Sequence, residues 1–197
     1  RDLHYSLHSF PPRRFPISTD VLNLLTSIKY DPTENLLITL DVESLYTSIP
    51  QSTSLEIIEE ILVGTDWQHR TPRHFILECA ELAMKENYFR FEDDYYLQTH
   101  GISMGSTFAP SVAGLYVHSL ESKVILTVNN PFLYHIQEWK RYIDDIFVIW
   151  KGNEGHVISF MGWLNSQDPF LRFAHTISNE QLVFLDLLIT PKDGGLK

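Results

Sequence analysis

The sequence predicts a mixed α/β protein of the α+β kind, in which a largely antiparallel β-sheet is backed by helices. Three observations carry this prediction: short apolar β-branched runs, two alternating segments that turn on acidic residues, and amphipathic stretches bounded by Pro or Gly. With 197 residues, 44% of them hydrophobic and 13% aromatic, the chain can bury a core of its own. We therefore expect a single domain over 1–197.

The first half of the chain contains one predicted strand among three predicted helices. Apolar residues at helical spacing, together with capping residues and a closing glycine, mark the helices. A short apolar run that follows turn residues marks the strand. In chain order these elements are a helix capped by Thr19 or Asp20 and ending near Ile28, the strand Asn35–Val42, a helix from about Ser54 to Val63 that stops at Gly64, and a helix capped by Thr71 that ends near Asn87.

The second half contains two predicted β-hairpins, two helices and two further strands. Alternating aromatic and polar residues on both sides of an acidic turn are typical of a hairpin, and proline is favoured in the first turn of a helix. In chain order we predict a hairpin within Asn87–Gly101, a helix opened by Pro110, a hairpin within Glu138–Trp150, a helix over about Gly155–Pro169, and the strands Phe170–Ser178 and Gln181–Thr190.

Charge and cysteine content exclude several classes of protein. The single cysteine, Cys79, rules out a disulfide framework and a cysteine-based zinc site, and it favours a reducing intracellular compartment. No apolar run approaches the length of a membrane span, so we expect no membrane contact. The formal net charge of −10 opposes a phosphate-binding surface on this part of the protein. The nine histidines show no ligand spacing, and none is predicted to bind a metal.

Two adjacent aspartates, Asp144 and Asp145, interrupt apolar runs in the segment "KRYIDDIFVIW". Neighbouring carboxylates against apolar strands are unfavourable unless a cation offsets their repulsion and desolvation. Asp41 similarly interrupts the end of the strand Asn35–Val42. If the two strands are neighbours, three carboxylates meet in the layout that holds two metal ions, and oxygen ligands favour Mg²⁺.

An aspartate pair in a hairpin is more often a solvated turn than a metal site. The segment "FRFEDDYYL" contains such a pair, Asp93 and Asp94, in a polar tip that we interpret as solvated. The flanks of Asp144 and Asp145 leave almost no solvated face. The residues alone therefore leave both interpretations open for that second pair.

Three segments, "LDVESLYTSIP", "GISMGSTFAPSVAGLYV" and "RYIDDIFVIW", resemble in order and character the A, B and C motifs of reverse transcriptases, and "LVFLDLLI" follows them. The residues of these segments resemble those of the Penelope-like branch of retroelements. The resemblance covers about Ile38–Ile189. It implies a right-hand polymerase palm with partial fingers.

The resemblance also implies a set of metal ligands. Asp41 and Asp144 would be the principal ligands, Asp145 would complete the carboxylate set, and the backbone carbonyl of Val42 would add a further oxygen. These groups would hold two Mg²⁺ ions, or Mn²⁺ in their place.

The resemblance implies substrate contacts as well. Tyr46 would be a steric gate against the 2′-hydroxyl of the incoming nucleotide. Gly105 and Ser106 would lie in the loop that packs against the template base and that nucleotide, with Gly101 and Gly105 allowing close backbone approach. From the residues alone, Tyr46 is more simply a core aromatic and the loop an ordinary entry into a helix. Arg141 is interpreted as a structural ion-pair partner or a primer-strand contact rather than a catalytic group.

The implied activity is RNA-directed DNA polymerisation, with an RNA template, a DNA primer and deoxynucleoside triphosphates as partners, inside the cell and in the nucleus. Missing fingers and thumb segments would complete the protein, so we expect the chain alone to bind nucleic acid weakly and to be nearly inactive. Two alternatives are a decayed or domesticated copy that acts as an inactive nucleic-acid or protein-binding module, and an RNA-templated RNA polymerase. Intact Asp41, Asp144 and Asp145 oppose the former, and Tyr46 opposes the latter.

Overall fold

The computed structural model describes residues 25, 28–64, 71–192 and 194–197. The predicted helix that ends near Ile28 lies outside these ranges, apart from Leu25 and Ile28 themselves. Both of these side chains are buried.

The described residues form both helices and strands. The helices are α1 (Leu45–Ser48), α2 (Gln51–Val63), α3 (Arg73–Lys85), α4 (Ala109–Leu120) and α5 (Glu154–Gln167), with a π-helical turn at Glu121–Ile125 and a 3₁₀ turn at Leu133–His135. The strands are β1 (Asn35–Val42), β2 (Tyr88–Phe91), β3 (Asp94–Leu97), β4 (Ile136–Tyr142), β5 (Asp145–Lys151), β6 (Phe173–Ser178), β7 (Leu182–Phe184), β8 (Leu187–Ile189), β9 (Pro191–Lys192) and β10 (Gly195–Leu196).

The chain divides into two compact units. The sheet unit comprises the described residues up to Glu43 together with Ile125–Gln167 and Arg172–Lys197. The helical unit comprises the described residues of Ser44–Val124 together with Asp168–Leu171. The prediction that 1–197 form a single domain stays a prediction.

The sheet unit is built on a four-stranded sheet in the order β4-β5-β1-β6, and every neighbouring pair is antiparallel. The interior of β5, from Ile146 to Trp150, is at most 1% exposed, because both faces of the sheet are covered. This arrangement confirms the predicted antiparallel sheet and the predicted strand Asn35–Val42.

Each face of the sheet packs against a different layer. On one face, the side chains of Leu37, Phe147 and Ile149 join a buried cluster that includes the β7–β8 hairpin. On the other face, the Trp150 ring lies 5.0 Å from the Phe160 ring of α5. Asn165 of α5 also hydrogen-bonds both backbone groups of Phe173 in β6, which ties the helix to the sheet.

The helical unit contains α1 to α4 and the β2–β3 hairpin, and α2 packs against both α3 and α4. All eight residues of the hairpin strands are exposed. The Asp93 side chain in its turn is fully exposed and pairs with Arg90 at 3.0 Å, which confirms the solvated interpretation. The tyrosine hydroxyl of Tyr116 in α4 donates to Asp168 at 2.9 Å.

Several predicted boundaries are wrong for local reasons. Helix α2 begins at Gln51 rather than Ser54, because Pro50 stands at the N-cap with a φ of −70° that already suits entry into a helix. Pro72, not Thr71, occupies the N-cap of α3. The run Gln181–Thr190 is not one strand, because the chain folds back after Phe184 into the β7–β8 hairpin.

Among the described residues, every helix falls short of the length or the apolar character that a membrane crossing requires.

Candidate active site

Strand pairing brings two of the predicted carboxylates together. In the antiparallel register of β1 and β5, Asp41 is directly opposite Asp145. Residues opposite each other on neighbouring strands project to the same face, with Cβ atoms about 4.5–5.5 Å apart. By strand alternation, this is the face that also carries Leu37 and Phe147. The aspartates thus end an otherwise buried face of the sheet.

The third carboxylate, Asp144, belongs to the two-residue turn between β4 and β5, where Tyr142 pairs with Asp145. The backbone N–H of Val42 donates to the carbonyl of Asp144 at 3.2 Å, so the turn is attached to the end of β1. Val42 itself is 2% exposed. The backbone of the sheet unit therefore brings Asp41, Val42, Asp144 and Asp145 to one end of the sheet.

The acidic turn has an unusual backbone. Ile143 precedes Asp144 with a φ of +54°, a conformation that is costly for a β-branched residue. The guanidinium of Arg141 donates to the Ile143 carbonyl at 3.2 Å, and this side chain is nearly buried. Arg141 thus holds the backbone of the turn, while its predicted roles as an ion-pair partner or a primer contact stay predictions.

The carboxylates disfavour each other's charged forms. Burial, the nearby Asp144 and then Glu43 raise the pKa of Asp41 above its ordinary value. Burial, Asp144 and then Asp41 raise the pKa of Asp145 in the same way. A cation bound beside these acids would favour their charged forms.

The carboxylates suit a hard divalent cation in donor type, because all are oxygen ligands. In the described part of the chain, however, no group of three or more Asp, Glu, His or Cys side chains has the arrangement needed to hold a metal ion. The backbone therefore brings the acids to one place, and rotation of their side chains would be needed to complete a coordination shell.

A cleft of about 280 Å³ opens beside Asp41 and Asp145. Its other walls come from β6 and the β7–β8 hairpin, and the lining residues are Thr39, Leu40, Asp41, Asp145, Ala174, His175, Thr176, Val183, Phe184 and Leu185. Thr39 and Thr176 are paired across β1 and β6, next to the pair Asp41 and Ala174. No local sequence pattern marks these threonines, because the pairing of β6 with β1 is non-local.

The remaining predicted residues lie in the helical unit. The carbonyl of Tyr46 in α1 accepts the backbone N–H of Ile102 at 2.7 Å, so the end of the first motif contacts the loop of the second. Within that loop, the hydroxyl of Ser106 accepts the backbone N–H of Phe108 at 3.2 Å, which shapes the entry into α4.

Two glycines of this loop have different surroundings. Gly101 has a φ of +70°, and a Cβ at this position would lie 2.6 Å from the Cα of Thr47. A Cβ on Gly105 would meet nothing closer than the Ser103 hydroxyl oxygen at 4.0 Å. Gly101 is therefore required by the protein itself, whereas the space above Gly105 is open to a ligand.

Gln51 also supports this loop and was not identified from the sequence. Its side-chain amide donates to the carbonyl of Gly101 at 2.9 Å and to the carbonyl of Met84 at 3.0 Å. Both acceptors are distant in sequence, so no local pattern marks Gln51.

Solved structures that this chain resembles include several nucleic-acid polymerases. The truncated apo telomerase of Candida tropicalis is 17% identical, with a TM-score of 0.60, and the match covers 91% of this chain and 38% of that one. The telomerase of Candida albicans bound to a fragment of telomeric RNA is 13% identical, with a TM-score of 0.62, 91% of this chain and 32% of that chain being covered. An RNA-dependent RNA polymerase of BmCPV is 17% identical, with a TM-score of 0.56, over 88% of this chain and 17% of that chain.

The fold is therefore that of a polymerase palm, and it confirms the predicted fold class. The reverse transcriptase (RNA-dependent DNA polymerase) family model matches residues 2–166. The chain belongs to this family. It spans about a third of the length of the telomerases that it resembles, and no curated protein matches it.

Replacing Asp145 with Asn is expected to raise the thermal midpoint of the metal-free protein at pH 7 by about 1–3 °C. A raised folded-state pKa means that the wild-type carboxyl contributes full stability only below its ordinary pKa, near 4, and loses it as the pH rises. The gain should thus disappear at pH 3.5. Melting curves by circular dichroism in EDTA test this, with the exposed Asp93→Asn as control. A lower midpoint for Asp145→Asn at pH 7 would contradict the proposed repulsion.

The two glycines give a matched pair of substitutions. Gly101→Ala should lower the free energy of unfolding by more than about 1 kcal/mol, because the methyl group meets the Thr47 backbone and φ is positive. Gly105→Ala should change it by less than about 0.5 kcal/mol. Urea denaturation curves measure both. Equal losses of unfolding free energy in the two variants would contradict the open space above Gly105.

Proposed function

We propose that this chain is the palm of an RNA-directed DNA polymerase that extends a DNA primer on an RNA template. The observation that carries the proposal is the register of β1 and β5, which holds Asp41 opposite Asp145 beside the turn residue Asp144. Membership of the reverse transcriptase family supports the same activity. The partners would be the template, the primer and deoxynucleoside triphosphates.

The proposed site would hold two Mg²⁺ ions, or Mn²⁺, through Asp41, Asp144, Asp145 and the carbonyl of Val42. When bound, such ions assist loss of the proton from the primer 3′-hydroxyl and offset the charge of the triphosphate. The raised pKa values of Asp41 and Asp145 support a site whose negative charge is relieved when a cation binds. The primer oxygen forms a bond to the α-phosphorus as the bond to pyrophosphate breaks.

The protein would contribute mainly positioning to this reaction. The sheet fixes the carboxylates, and the attachment of the turn to Val42 keeps Asp144 at the end of β1. Tyr46 would exclude ribonucleotides, and the open side of Gly105 with the neighbouring Ser106 would face the incoming nucleotide or the template base. The residues of the motifs favour the Penelope-like branch, and we place the proposed activity in the nucleus.

RNA-templated RNA synthesis is a second candidate, since RNA-dependent RNA polymerases share the fold. An aromatic residue at position 46 favours deoxynucleotides over ribonucleotides, so we place this activity second. Primer extension with each class of nucleotide separates the two.

Asp144→Asn should reduce primer extension by about 10²-fold or more, the loss that follows removal of one group that stabilises transition-state charge. The assay uses an RNA template and a version of the protein completed with fingers and thumb regions. Asp93→Asn is the matched control, because Asp93 also follows a positive-φ residue in a hairpin turn but is solvated. The proposed activity would be refuted if Asp144→Asn extended the primer as well as the wild type, or if the wild type did not extend it at all. Either result would favour an inactive binding module.

Tyr46→Ala should increase ribonucleotide incorporation relative to deoxynucleotide incorporation by about 10-fold or more, because a single steric contact supplies discrimination of this order. Tyr95→Ala, at an exposed hairpin position, serves as the control. If the ratio does not change for Tyr46→Ala, another residue is the gate.

A further inference from the structure

Two histidines and a tryptophan meet at the end of β5 that lies away from the acidic turn. His135 ends the 3₁₀ turn before β4, and His156 lies in the first turn of α5. Their ring centroids are 4.9 Å apart, with an angle of 48° between the planes. The His135 ring also stacks on Trp150, with centroids 5.0 Å apart and planes only 10° from parallel.

The protonation of His135 is set by its hydrogen bond. Its Nδ1 lies 2.6 Å from the backbone carbonyl of Lys151. A carbonyl only accepts, so Nδ1 must carry the proton, and in the neutral ring Nε2 therefore carries the lone pair. A histidine that binds a metal commonly donates its other ring N–H to a carbonyl in this manner.

The second ring is available from solvent. His156 is exposed, and neither of its ring nitrogens hydrogen-bonds to any residue that the structure describes. Gly152, with a φ of +129°, separates the rings: a Cβ there would lie 3.0 Å from the Nδ1 of His156 and 3.2 Å from the Nδ1 of His135. The absence of a side chain at this position allows the imidazoles to approach each other.

We propose that His135 and His156 bind a divalent transition-metal ion that prefers imidazole ligands, such as Zn²⁺. Zn–N distances of about 2.0–2.1 Å and tetrahedral angles place two bound ring centres roughly 5 Å apart, which agrees with the observed 4.9 Å. The donor type differs from that of the acidic turn, where oxygen ligands favour Mg²⁺.

The remaining ligands would come from solvent, since no third Asp, Glu, His or Cys joins the pair within 28–64, 71–192 and 194–197. The indole N–H of Trp150 is buried without a hydrogen-bond partner among these residues, 3.5 Å from the ideal Cβ position of Gly152. A metal-bound water would accept it. The nearby ammonium of Lys151 is paired with Glu34 at 3.3 Å, which reduces its repulsion of a cation.

The test is isothermal titration of Zn²⁺ into the untagged 197-residue chain with millimolar Mg²⁺ present. One ion should bind. His156→Gln and His135→Gln should each weaken binding by at least about tenfold, because even the loss of a residue that only hydrogen-bonds a metal ligand lowers metal affinity by this much. His74→Gln is the matched control, because His74 is likewise exposed in the first turn of a helix. Binding should survive in His156→Cys, since a thiolate is also a zinc ligand.

Circular dichroism identifies any variant that fails to fold. Because His156 is exposed, His156→Gln is expected to fold, so its zinc binding tests the proposal even if His135→Gln does not fold. Equal binding by the wild type and His156→Gln would overturn the proposal. Loss of binding in Asp145→Asn, with both histidines intact, would also overturn it, because the ion would then belong to the acidic turn. Ni²⁺ quenching of tryptophan emission that disappears in His156→Gln would give independent support.

Discussion

The candidate site depends on one constraint, the antiparallel register of β1 and β5. Asp41 and Asp145 repel each other, yet backbone hydrogen bonds and the buried interior of β5 hold them opposite each other. A shift of one residue would move the apolar side chains to the wrong faces of the sheet. Since Ile146–Trp150 is buried throughout, the core strongly disfavours such a shift, and the unfavourable carboxylate pair persists.

A second constraint comes from the turns. Three two-residue hairpins in the described part of the chain place a non-glycine residue with positive φ before an aspartate, at Glu92–Asp93, Ile143–Asp144 and Leu185–Asp186. The same local geometry therefore gives a solvated tip in one hairpin and a candidate site in another. The surroundings decide between them: β2 and β3 are wholly exposed, whereas β5 is buried and pairs with a strand that ends in a third carboxylate.

What the sequence could predict follows from the range of the interactions. Strand β1, helix α5 and both acidic hairpins were recognisable because their patterns are local. The break in Gln181–Thr190 was not, because Leu185 and Asp186 interrupt the apolar run without Gly or Pro, the usual signals of a turn. Gln51, Thr176 and the contact of His135 with His156 were missed for a different reason: each depends on residues that only the tertiary fold brings together.

The two ends of β5 differ in the chemistry that they offer to cations. Its first residue, Asp145, lies with two other carboxylates, whereas Trp150 near its last residue lies against the paired imidazoles. Hard oxygen ligands and borderline nitrogen ligands select different ions, so the ions that each end prefers would compete little. Because a seven-residue strand spans about 20 Å, these charges would also be well separated and screened at physiological salt. The two proposed cation sites would thus lie at opposite ends of β5 without electrostatic conflict between them.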